Sequence, residues 1–159
     1  MLSIMDVVGA PETMAIWCMM ETPLAMLHAE RIAASSPRLG ALVMGTSDLT
    51  KDLAAQHTRD RLPMITSLGI CMLAARAFDV SILDGVQLDL EDMKAFDMAC
   101  HQGHDMGFDG KTLIHPKQIE AANRIFGPTK EEAAWSQRII EAHAEAAKEG
   151  KGVVVVDGK

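Results

Sequence analysis

The sequence contains no tyrosine, and aromatic residues of every kind make up 4% of its 159 residues. A core so short of rings must be packed from aliphatic chains and thioethers, and 12 methionines are there to supply the latter. Basic residues are scarce too: 15 Lys and Arg stand against 22 Asp and Glu, for a formal net charge of −7 and a pI near 5.3. That balance argues against nucleic acid and anionic membrane as partners. An acidic chain can still hold an anion locally, through a metal ion or backbone amides. No apolar run approaches the ~20 residues of a membrane span. The opening residues, Met1-Leu2-Ser3-Ile4-Met5-Asp6, lack a basic n-region, so no signal peptide is expected. Cys18, Cys71 and Cys100 show no Cys-x-x-Cys spacing, and an odd, unpatterned count suits reduced thiols. The expected location is the cytoplasm. Neither Gly-x-Gly-x-x-Gly nor Gly-x-x-x-x-Gly-Lys-Ser/Thr follows any predicted strand, which removes the strongest support for a nucleotide-binding fold.

What the sequence does contain is an alternation of short apolar runs and helical patterns. Met14–Met20 and Leu39–Met44 read as strands buried on both faces. Leu24–Ala34 has apolar spacing near 3.6 residues and reads as a helix, stopped by Ser35-Ser36-Pro37. Thr46 and Ser47 are good N-caps, so a short helix is expected to open there. Leu62–Phe78 is a predicted helix with Pro63 in its first turn, Val80–Leu83 a third strand and Glu91–Met106 a polar-faced helix ended by Gly107. Lys111–Ile114 is the fourth predicted strand, followed by helices over Gln118–Phe126 and Lys130–Lys148 and a short strand or arm over Val153–Val156. Four β-α units without a hairpin signal mean a parallel sheet in a single domain spanning residues 1–159.

Each polar cluster falls directly after a strand: Glu21, Asp48, Asp84 and His115. The carboxyl ends of parallel strands are where such folds build sites. Two carboxylates ending adjacent strands, with water and substrate completing the shell, suit Mg²⁺. Asp48 lies within Gly45-Thr46-Ser47-Asp48-Leu49, where Gly45 permits close backbone approach and the amides of Ser47 and Asp48 suit a substrate carboxylate. On spacing alone the evidence is thin, because an isolated Glu and Asp at strand ends more often serve as caps or ion-pair members. Asp84 and Asp89 can line the pocket or pair with the next strand's loop, and pairing is the commoner role. His115 can touch substrate or bond its own loop; Lys111 can project inward or pair with Asp84 or Asp109.

Four segments, in order, resemble the signatures of the citrate lyase β-subunit/malyl-CoA lyase family of the HpcH/HpaI aldolase superfamily. They are Met20-Glu21-Thr22-Pro23, Gly45-Thr46-Ser47-Asp48-Leu49, Asp84-Gly85-Val86-Gln87-Leu88-Asp89 and the specific block from Gly107 to Ile119. The resemblance implies a (β/α)8 TIM barrel, of which this chain supplies the C-terminal half, about four βα units, plus a helix and short arm. It also implies an assembly of trimers or hexamers, with citrate lyase partner subunits as a further possibility. The implied activity is a carbon–carbon lyase cleaving a 3-hydroxyacyl thioester of CoA or an acyl carrier protein into a 2-oxo acid and an acyl thioester. By motif, Glu21 and Asp48 would bind Mg²⁺ (or Mn²⁺). Gly45, Thr46 and Ser47 would hold the oxo-acid carboxylate, with Asp84 and His115 as further substrate contacts.

The family's substrate-binding arginine and its C-terminal acidic residue fall outside this chain, so no catalytic residue is assigned within it. Four βα units cannot close an eight-stranded barrel. The expectation is therefore a piece of a longer protein or a self-associating half-barrel, weakly active or inactive alone. The alternatives are a pyruvate-type class II aldolase and a non-catalytic truncated half-barrel.

Overall fold

Alternation along the strands divides the molecule. In the computed structural model, which describes residues 2–148, the chain runs α1 (Leu2–Val7), β1 (Ile16–Met20), α2 (Pro23–Leu27), α3 (Ala29–Ala33), β2 (Leu39–Met44), α4 (Thr46–Asp52), α5 (Ile65–Ala77), β3 (Ser81–Asp84), α6 (Met93–Asp105), β4 (Gly110–Lys111), α7 (Ile119–Phe126) and α8 (Lys130–Lys148). The chain forms two compact units, one ending at Phe126 and the other beginning at Gly127. In the first, all four strands are parallel and follow one another as β1-β2-β3-β4.

Successive side chains of a strand point to opposite faces. On one face, Cys18, Met20, Leu42, Met44 and Ile82 pack against Leu68, Cys71, Met72 and Ala75 of α5. The methionine and cysteine content makes this interior possible without aromatic rings. Burying one such side chain is worth roughly 1.5–3 kcal/mol. A smaller cluster joins Phe96 and Cys100 of α6 to Ala121, Ala122 and Ile125 of α7. On the other face the register aligns Trp17 with Ala41 and Met19 with Val43, and Val43 in turn with Leu83. There Trp17 and Met19 stand 63% and 53% exposed.

Three elements differ from expectation for local reasons. The predicted Leu24–Ala34 helix is two short ones meeting at His28, whose φ of −115° and ψ of 19° break the helical path; Thr22 Oγ1 caps the first by accepting from Ala25 N at 3.2 Å. The helix at Leu62 begins with a 3-10 turn, Leu62–Met64, before α5. The fourth strand is only Gly110–Lys111; beyond one further backbone bond from Thr112, side chains share or take over the hydrogen bonds. Thr112 donates from N and Oγ1 to Asp84 O (3.0 Å each), and Ile114 N donates to Gln118 Oε1 (3.1 Å).

The helix α1 has no counterpart among the predicted elements. By contrast, α8 has its predicted bounds and opens with a reciprocal cap: Thr129 N donates to Glu132 Oε2 (2.8 Å) and Glu132 N to Thr129 Oγ1 (3.1 Å). The predicted Val153–Val156 arm lies outside the described residues.

Candidate active site at the strand ends

Glu21 is the first residue beyond β1 and continues the Trp17, Met19 series on the open face. The neighbouring strand ends at Met44, level with Met20, and Gly45 N donates to Met20 O (2.8 Å). Gly45 therefore lies beside Glu21. A Cβ at position 45 would stand 2.4 Å from Glu21 Cβ, 2.9 Å from Glu21 Oε2 and 3.2 Å from Met19 Cγ. Only glycine leaves the half-buried glutamate its place.

From Gly45 the chain turns into α4. The cap is Gly45 itself, with no side-chain hydrogen bond, so the expected capping by Thr46 or Ser47 hydroxyls does not occur. Instead Thr46 is buried, and Thr50 Oγ1 donates to its carbonyl (2.7 Å). Asp48 is exposed in the first turn, ahead of the first intrahelical bond, Leu49 N to Gly45 O (3.1 Å). Ser47 Oγ is buried and has no hydrogen-bond partner. A buried hydroxyl without a partner is costly unless a ligand or water satisfies it.

Asp84 takes the paired role, the commoner of its two readings, and corrects the substrate contact that the resemblance implied. It follows Leu83, which is on the open face, so it turns to the helix side, where it has no exposed surface. Both its oxygens accept from Arg61 Nη1 at 2.7 Å, Oδ2 also from Lys111 Nζ (2.8 Å) and Oδ1 from Gly85 N (2.8 Å). Lys111, paired with Asp84 in the β3–β4 register, shares that face and does not project inward. Burial pushes the Lys111 ammonium below its ordinary pKa, against the opposing pull of Asp84. Asp89 closes a turn, its Oδ1 accepting from Glu91 N (2.9 Å) and Asp92 N (3.3 Å). His115 is exposed, and its Nδ1 accepts from Lys117 N (3.1 Å), so that nitrogen serves its own loop.

Two residues absent from the predicted set organise this end of the sheet. Arg61 reaches the interior from a left-handed backbone (φ 55°) and also donates from Nε to Gln102 Oε1 (2.6 Å). Gln118 is fully buried and joins two loops, accepting from Ile114 N and donating to Gln87 O (3.2 Å). Arg61 sits in a polar loop with no periodicity to expose it. The signal for Gln118 was its place in the Gly107–Ile119 block. A cavity of about 340 Å³ opens nearby, lined by Thr46, His57, Arg59, Arg61, Gln87 and Asp92 among others. It meets the Gly45–Asp48 segment only at Thr46 and is distinct from the Glu21 side.

The family profile described as HpcH/HpaI aldolase/citrate lyase matches residues 5–116. The chain belongs to this family. Similar to this HpcH/HpaI chain is the (3S)-malyl-CoA thioesterase of Cereibacter sphaeroides, 51% identical over 144 residues, which are 91% of this chain and 50% of the relative. The citrate lyase subunit beta of Leuconostoc mesenteroides subsp. cremoris is 32% identical over 152 residues, 96% of this chain and 49% of the relative. The chain thus spans about half the length of the curated relatives it matches. Among solved structures, the citrate lyase beta subunit of M. tuberculosis complexed with oxaloacetate and magnesium superposes with a TM-score of 0.64 at 26% identity, covering 77% of this chain and 56% of that one. The four parallel strands of this HpcH/HpaI chain are accordingly half of a (β/α)8 barrel.

Hard oxygen donors, the kind that Mg²⁺ takes, stand on either side of Gly45 in the sequence. Glu21 and Asp48 offer hard carboxylate oxygens, Gly45 leaves the space Glu21 needs, and Ser47 Oγ is free for a ligand. Among the described residues no group of three or more His, Cys, Asp or Glu could hold a metal ion. A two-carboxylate Mg²⁺ site falls below that count.

Proposed function

We propose that the protein containing this chain acts on a malyl-type CoA thioester, with Glu21 and Asp48 as Mg²⁺ ligands and Gly45–Ser47 as the seat of the substrate's carboxylate end. The observation that carries this reading is the buried, unbonded Ser47 Oγ two residues from the Gly45–Glu21 contact. The likeness to a (3S)-malyl-CoA thioesterase and to a beta subunit complexed with oxaloacetate and magnesium supports it.

This chain's residues bind and orient. Glu21 is fixed against Gly45 on the open sheet face, and Asp48 projects from the first turn of α4. Ser47 donates its hydroxyl proton to a carboxylate oxygen, which ends the desolvation penalty it bears alone. When bound, the cation supplies a Lewis acid that stabilises negative charge developing on the substrate's oxygen. The open face bearing Trp17 and Met19 suits cover by the other half of a barrel.

The 51% identical relative favours thioester hydrolysis: water adds to the carbonyl, the C–S bond breaks, and malate and free CoA leave. Likeness to the citrate lyase beta subunit favours a second reading, cleavage of the C2–C3 bond to glyoxylate and acetyl-CoA. Incubating the whole protein with Mg²⁺ and (3S)-malyl-CoA separates them, since hydrolysis releases a titratable thiol and cleavage releases a hydrazone-forming oxo acid. Glu21→Gln and Asp48→Asn should each lower the rate at least 100-fold and weaken Mn²⁺ binding. Formation of neither product, or Mn²⁺ affinity unchanged in both variants, would overturn the proposal.

A further inference from the structure

We infer that Asp84, held by Arg61 and Lys111, is a positioning residue for the Gly45–Asp48 segment and acts on it through Gly85 and Thr46. The inference rests on reading that segment as the metal and carboxylate site.

Asp84 itself cannot touch substrate, being fully buried on the helix side of β3. Four donor contacts saturate its two oxygens, from Arg61 Nη1 to each oxygen, Lys111 Nζ and Gly85 N. Stability alone does not call for such a group, since well-packed apolar residues often replace a buried ion pair at no loss. Phe126 and Gly103 already border the space. The arrangement also keeps Arg61 in a left-handed conformation that non-glycine residues rarely adopt. Strain of that kind persists where the surroundings over-determine it, and here Gln102, Ala99 and Asp84 all hold the guanidinium.

The link to the site is short. Asp84 Oδ1 takes the amide of Gly85, fixing where that residue lies. Gly85 is pressed against the start of α4: a Cβ on it would stand 2.4 Å from Thr46 Oγ1 and 2.7 Å from Met44 O. Thr46 is buried, directly precedes Ser47, and is two residues from Asp48. Rotation or loss of the Asp84 carboxylate therefore moves Gly85 onto or away from the residue that sets the first turn of α4.

The test uses the whole protein with Asp84→Asn, Arg61→Lys and Gly85→Ala, the last leaving the ion pairs intact. Two readouts are independent of turnover: amide hydrogen exchange at Leu49–Leu53, the hydrogen-bonded amides of α4, relative to Leu68–Ala75 of α5, and Mn²⁺ titration. The expected result is exchange accelerated at least tenfold at Leu49–Leu53 but not in α5, with Mn²⁺ affinity lowered about tenfold. Exchange and affinity within twofold of wild type in folded Asp84→Asn would overturn the inference. If that variant does not fold, the same outcome in both Arg61→Lys and Gly85→Ala does so. Glu21→Gln serves as the control. Should it bind Mn²⁺ as wild type does, the metal-site reading fails on its own, and the exchange pattern alone decides the positioning role.

Discussion

Gly45 and Glu21 occupy a space that admits only one side chain: a Cβ on residue 45 would lie 2.4 Å from Glu21 Cβ and 2.9 Å from its Oε2. A contact that short forces something to move, and the glutamate is the group on which the proposed chemistry depends.

Gly45→Ala should therefore displace Glu21 without changing any ligand's chemistry. Loss of orientation around a metal ligand typically costs 10–100-fold in affinity or activity, and that range is expected for Mn²⁺ binding by calorimetry. Gly69→Ala is the matched control. Its Cβ would meet nothing within 4 Å, inside helix α5. It should leave binding alone and stabilise the fold by about 0.5–1 kcal/mol.

Removing Asp84 strands two buried cations, whereas removing Lys111 leaves Arg61 and Asp84 paired. Asp84→Ala should cost about 3–5 kcal/mol in urea unfolding, the usual cost of breaking a buried ion pair from one side. Lys111→Met should cost clearly less, because burial already disfavours the charged lysine. Equal losses would show that Lys111, and not Arg61, is the essential partner.

Acid should expose the Arg76–Asp109 link. Burial on its own would raise the Asp109 pKa, but hydrogen bonds from Arg76 and Ile82 N and the Arg76 charge hold it below the usual 3.8. A depressed carboxylate contributes stability that is fully present above the unfolded value and is lost as pH falls through the folded one. Thermal melts between pH 5 and 2.5 should thus show a steeper loss below pH 3.8 for wild type than for Asp109→Asn. Parallel curves would deny the link any role.

Thiol chemistry should separate the three cysteines. Burial pushes Cys71 up to about 11 and Cys100 likewise to about 11. At pH 8 roughly one molecule in a thousand then carries the reactive thiolate at either position. Alkylation in the native state should mark the half-buried Cys18 first, with Cys71 and Cys100 labelled only on denaturation, as peptide mass spectrometry would show.

Much of this architecture was legible in the residues because apolar runs and turn signals are local. Leu39–Met44 and Lys130–Lys148 have their predicted bounds; Glu21 directly follows β1, and Asp48 lies four residues beyond β2 in the first turn of α4. Bounds moved where side chains compete with backbone, as Thr112 and Gln118 do after Lys111. Asp84 shows a different limit. Its position after a strand suggested the rim, but strand periodicity decides the face, and Leu83 holds the inward place. Arg61 was invisible because its value lies in a backbone conformation that no propensity favours and in a partner 23 residues away.

The division of labour along β3 also bears on how this protein can evolve. Ile82 and Asp84 serve the packed side while Leu83, between them, serves the open one, so point replacements there have separable, graded effects. A single-residue insertion or deletion inside the strand has no graded version. It would exchange the greasy and ionic surfaces in one step, and lineages of this sequence should accumulate length changes in connecting loops while keeping Ser81–Asp84 free of them.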